Sequence, residues 1–169
     1  MLHRVQRETS RLSRRAFLGA AAIGSAAIGV GARAAIPTER RWAAVRGVVA
    51  SGIIGSVRVA SAIVPLDGDA GLHDAQREWH GKQLPAAVAE CLDGLFGALA
   101  LQRPAAMNTA AYAGTFSITC VTEDGRRVAI AGVASSPFSM TVRGTAGSLR
   151  TSNRRIQIES QGRWREVRF

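Results

Sequence analysis

The sequence predicts an α+β domain, an antiparallel β-meander with helices packed on one face. Two observations predict it. Leu84, Val88, Leu92, Leu95, Phe96 and Leu99 recur at i, i+4, i+8, i+11, i+12 and i+15, the single stripe of an amphipathic helix. After Pro104, short runs that alternate large apolar with small polar residues are separated by tight turns, the pattern of hairpin-connected strands.

In chain order, Thr38 reads as the N-cap of a helix from Glu39 to Ala50, in which Trp42, Val45 and Val49 share a face. Gly52 and Gly55 end it. Ser56 to Val64 alternates as a strand with Val57, Val59 and Ser61 on one side, and Pro65 to Gly71 is a turn-rich loop. Asp67 and Asp69 in that loop lack the further oxygen ligands of a calcium site and read as a solvated turn. The main helix runs from Leu84, with Pro85 in its first turn, and stops at Gln102-Arg103-Pro104. Thr115 to Cys120 then alternates as a strand, and Glu123-Asp124-Gly125-Arg126 forms a hairpin turn, because Asp-Gly accepts positive φ angles. Further strands follow around Val128 and Ile130, then Phe138, Met140 and Val142, then Ile156 and Ile158, and finally Trp164 to Phe169. Phe116, Ile118, Val128, Ile130, Phe138, Met140 and Val142 are expected beneath the helix. The other face, carrying Ser117, Thr119, Ser139, Thr141 and Arg143, is left open for a partner.

Residues 1–35 read as a twin-arginine export signal, and residues 36–169 as the domain. Arg14 and Arg15 directly precede an apolar run from Phe17 to Val30, and Ala32-Arg33-Ala34 offers a small-x-small cleavage pattern. The alternative is an uncleaved anchor, but some fourteen apolar residues fall short of the about twenty that span a bilayer. The expectation is therefore export through the twin-arginine machinery to the periplasm or beyond.

The chain has 22 basic and 12 acidic residues, of which six Arg and one Glu precede Ala35; 16 and 11 remain, a net of +5. The remaining charge is spread along the chain without a basic block or an aromatic-basic motif, which argues against nucleic-acid binding. Cys91 falls on the helical stripe and Cys120 on an inward strand face, so both read as buried free thiols. His3, His73 and His80 form no metal-ligand spacing with them.

Two segments resemble the Gfo/Idh/MocA oxidoreductases. Ala50-Ser51-Gly52-Ile53-Ile54-Gly55-Ser56-Val57-Arg58 is similar to that family's link into its C-terminal domain. Val142-Arg143-Gly144-Thr145-Ala146-Gly147-Ser148-Leu149 is similar to its late strand-turn-strand. The resemblance implies the family's C-terminal fold over about Glu39 to Phe169, without the N-terminal Rossmann domain that holds NAD(P). Gly29-Val30-Gly31 lies in the signal and opens no strand-turn-helix. The family's helix pattern, Asp-x-Gly-x-His-x-x-Asp, falls here on Ala86, Val88, Glu90 and Asp93, so only Asp93 matches. Glu90 and His80 complete the catalytic candidates; each also reads as a solvated or packed surface residue.

The resemblance thus implies a module that is not catalytic alone and binds no cofactor alone, acting in ligand binding or oligomerisation through its open sheet face. The alternatives are a substrate-side subunit of an NAD(P)-dependent sugar oxidoreductase, completed by a separate Rossmann subunit, and a truncated gene remnant. The expected partners are a second copy or a Rossmann-containing protein.

Overall fold

A computed structural model describes residues 39–66, 76–112, 114–152 and 155–167. Arg14, Arg15, Ala32, Ala34, Asp67, Asp69 and His73 lie outside the described residues. Among the described residues, two helices, α1 (Glu39–Ala50) and α2 (Ala86–Ala98), accompany ten strands: β1 (Val57–Leu66), β2 (Gln76–Trp79), β3 (Lys82–Pro85), β4 (Pro104–Tyr112), β5 (Thr115–Thr122), β6 (Arg127–Ala134), β7 (Ser139–Gly144), β8 (Gly147–Ser152), β9 (Arg155–Ser160) and β10 (Arg163–Val167).

Eight strands form one sheet in the order β10-β9-β8-β7-β1-β6-β5-β4. The expected antiparallel meander is only partly right. β4–β5–β6 and β7–β8–β9–β10 are antiparallel meanders, but β1 lies between them, parallel to β6 and antiparallel to β7. No hairpin joins β1 to either neighbour, so no tight turn fixes its direction. Its backbone groups are satisfied from both sides by the strands that flank it. The hairpin turn expected at Glu123–Arg126 is present, with Gly125 at φ 80°.

One face of this sheet is covered. Ala60, Ala62, Val64 and Leu66 of β1, Phe116, Ile118 and Cys120 of β5, Val128 and Ile130 of β6, and Met140 and Val142 of β7 are buried with the stripe of α2. Phe138, just ahead of β7, is buried in the same core. On β1 the expected grouping of Val57, Val59 and Ser61 holds for Val59 and Ser61 but not for Val57. A register shift between Val57 and Val59 reverses the alternation, so Val57 is buried while Val59 is 39% exposed. In α1 the buried residues are Trp42, Val45 and Val48, with Val49 half-buried beside them.

Leu84 proves to belong to β3 rather than to the helix. Pro85 disfavours helical geometry at the residue before it, and α2 begins at Ala86. A separate two-stranded hairpin, β2–β3, was not expected from the pattern; it turns through His80 (φ 47°) and Gly81 (φ 76°). The helices meet where α2 has no side chain: a Cβ on Gly94 would overlap the Trp42 indole. That ring also packs edge-on against Phe138, with centroids 6.5 Å apart. The far end of α2 is closed by the β5–β6 turn, where Arg126 donates to the carbonyl oxygens of Leu99 (3.3 Å) and Ala100 (3.2 Å).

Candidate functional site

The two segments that carry the family resemblance, about ninety residues apart in sequence, lock onto each other. After α1 the chain turns through Gly52 to Gly55, whose N–H donates to the Gly52 carbonyl at 2.9 Å. Gly55 sits at φ 69°, a region that side chains seldom enter. Across the gap, the β7–β8 turn answers. Ala146 N–H donates to the Ile54 carbonyl (3.0 Å), Thr145 N–H to the Ser56 carbonyl (3.0 Å), and Ser56 N–H to Thr145 Oγ1 (3.1 Å). Gly144 permits this approach, since a Cβ there would strike the Ile54 carbonyl oxygen. The junction ties the exit of α1 to the late hairpin and so fixes how β1 enters the sheet beside β7.

The helix candidates separate. Asp93 is bound through both oxygens: Trp79 Nε1 donates to Oδ1 at 2.9 Å, and Arg77 pairs with Oδ2 at 3.0 Å. Trp79 is itself buried, edge-on to Phe96 at 5.2 Å and to His80 at 4.5 Å. Asp93 therefore pins the β2–β3 hairpin to α2. His80 is exposed at the turn of that hairpin, and Glu90 is exposed one turn earlier on the helix. Arg77 and Trp79 were not anticipated as partners of Asp93; the signal that could have found them is the His80-Gly81 pair between two short polar-apolar runs.

The cysteine thiols are buried and free. Burial, with a smaller push from Glu90, raises the Cys91 thiol far above its ordinary range, and burial pushes Cys120 up to about 12. Neither supplies a thiolate near neutral pH. Among the described residues, no three His, Cys, Asp or Glu side chains gather as a metal site. Also among them, no helix is long and apolar enough to cross a membrane.

The resemblance would bring NAD(P), and the described residues do not fit it. A pyrophosphate needs a glycine-rich turn that presents backbone N–H groups at a helix start. The first turn of α1 carries Glu39, and α2 starts behind Pro85 with Ala86 and Ala87 half-buried.

The open face offers a broad surface. Strand registers place Asn108, Thr119, Ala129, Ser61, Thr141, Arg150, Gln157 and Glu166 in one row across all eight strands. At its β8–β10 end the polar groups satisfy one another. Arg150 lies over the Trp164 ring at 4.1 Å and donates from Nε to Gln157 Oε1 at 2.7 Å. Arg155 pairs with Glu166 at 3.8 Å, and Glu159 accepts from Gly162 N–H at 2.9 Å. Among the described residues, four of the five large apolar ones that are exposed lie on this face: Val59, Tyr112, Val121 and Trp164.

No protein-family model and no curated protein matches this sequence. Solved structures do. An oxidoreductase from Pseudomonas syringae matches 76% of this chain and 38% of its own at 14% identity, with a TM-score of 0.61. An oxidoreductase from Sinorhizobium meliloti matches 75% and 39% at 13% identity, with a TM-score of 0.58. Levoglucosan dehydrogenase, solved with NADH and L-sorbose, matches 77% and 45% at 11% identity, with a TM-score of 0.56. The chain spans less than half the length of each of these structures. It has the fold of one part of these oxidoreductases.

Proposed function

We propose that this chain is an exported relative of the C-terminal domain of the Gfo/Idh/MocA oxidoreductases, not catalytic by itself, that binds a partner or ligand through its open sheet face. The observation that carries this reading is the state of Asp93. It is the one helix position that matches the family's pattern, and its two oxygens are held by Trp79 and Arg77 rather than turned to a substrate. The contact between the two resembling segments supports the family assignment, and the half-length match to the solved oxidoreductases supports the idea of a partial enzyme. Export rests on the Arg14-Arg15 pair. Replacing both with Lys retains charge but not guanidinium geometry, and should leave the protein in the cytoplasm with its signal intact.

The test is calorimetry of the purified chain with NAD and NADP at millimolar concentration. The reading expects no saturable heat. A micromolar dissociation constant would overturn it. A second reading, a substrate-side subunit completed by a separate Rossmann protein, draws support from levoglucosan dehydrogenase, an NADH-bound protein that this fold matches over less than half its length. In that case NAD(P) would come with the partner, and nucleotide binding would appear only in the complex.

A further inference from the structure

We propose that the open face receives an acidic, amphipathic helix of a partner protein, laid across the strands along the row Val121–Arg127–Val59–Arg143. This rests on the reading of the open face as the contact surface. The register puts the four residues side by side on β5, β6, β1 and β7, alternating apolar and cationic. Val59 and Val121 are each 39% exposed. Both arginines are exposed, and neither guanidinium has an ion-pair or hydrogen-bond partner among the described residues. Neighbouring strands lie about 4.8 Å apart, so the row advances about 14 Å and its two cations about 10 Å. A helix rises about 1.5 Å per residue. Apolar residues at i−3 and i+4 with carboxylates at i and i+7 would therefore follow the row in register along one face.

The charge distribution favours this occupant over a second copy. Among the described residues, the carboxylates that the strands carry on this face, Glu159 and Glu166, are engaged by their own chain, so a copy stacked on the same row would bring arginines rather than free strand carboxylates to Arg127 and Arg143.

The probe is a dye-labelled helical peptide with Leu at i−3 and i+4 and Glu at i and i+7, measured by anisotropy against the purified chain, beside a scrambled peptide of equal composition. Saturable binding is expected, weakened at least about ten-fold by Arg127→Glu with Arg143→Glu. Arg163→Glu with Arg165→Glu, on the edge strand, should leave it unchanged, and the scrambled peptide should bind more weakly. If charge reversal unfolds the domain, Arg127→Gln with Arg143→Gln should show the same ranking at smaller magnitude. Equal loss in both double variants, or equal binding of the scrambled peptide, would overturn the proposal. So would a dimer in sedimentation that Arg127→Glu with Arg143→Glu dissolves, or binding to phosphatidylserine vesicles in place of the peptide. Ala129→Trp separates the two levels of the argument. If it abolishes peptide binding while the arginine variants do not, the face is the contact surface and the charged row is not its determinant. If neither affects binding, the open-face reading itself fails.

Discussion

On the covered face of the sheet, Ile118, Ile130 and Met140 are exposed by 2% or less; one residue away along the same strands, Ser117, Thr119, Ala129 and Thr141 are half-buried and small. Backbone and pairing are shared, so the difference lies in the side chains alone. The first set carries the hydrophobic stabilisation, because its apolar area is removed from water beneath α1 and α2. The second set leaves a broad surface whose side chains cost little to desolvate and which carries Arg127 and Arg143 without an ion-pair partner among the described residues. Stability is thereby assigned to one side of the sheet, and the proposed contact to the other.

The largest expected effect breaks the covered face. Ile130→Asp places an unpaired carboxylate in the core, which costs several kcal/mol against the roughly 5–15 kcal/mol of an ordinary domain. Far-UV circular dichroism and urea titration should find it unfolded or nearly so.

A smaller loss is expected at the junction. Gly144→Ala drives a methyl group toward the Ile54 carbonyl, a backbone atom that cannot swing aside. Overpacking of this kind typically costs about 1–3 kcal/mol, read as a lower urea midpoint with an unchanged slope. A wild-type midpoint would mean that the two resembling segments are not held as tightly as their hydrogen bonds imply.

The β5–β6 turn sharpens the comparison through pH. Arg126 and Thr122 hydrogen-bond Asp124 and hold its carboxyl well below the usual carboxylate range. A depressed folded-state pKa contributes stability that is present above the unfolded value of about 3.9 and is lost as pH falls toward the folded value. Asp124→Asn should therefore melt below wild type at pH 7, and the gap should close as the pH drops below about 4. A gap that stays constant or widens in acid would show that Asp124 acts by shape alone.

Much of this fold was legible because its signals are local. The stripe from Leu84 to Leu99 and the alternation at Phe116–Ile118–Cys120 report burial directly, and Asp124-Gly125 reports a turn. What escaped depends on distant partners. Nothing within β1 reveals that it will sit between β6 and β7, or that the shift at Val57/Val59 puts Val57 on the face opposite Val59 and Ser61. β4 was passed over because, at an exposed edge, Pro104–Tyr112 has no large apolar face to display. At the helix, Asp93 was legible as a carboxylate. Its partners Arg77 and Trp79 come from a hairpin too short and polar to announce itself, so its architectural role could not be read.

The most direct test of the two-sided assignment is the melting temperature of Thr141→Asp beside that of Ile130→Asp. Residue 141 faces outward between Ser61 and Arg150, so an added carboxylate stays solvated near a cation. The account predicts that Thr141→Asp melts within a few degrees of wild type while Ile130→Asp shows no cooperative transition. Equal melting temperatures for the two variants would contradict it.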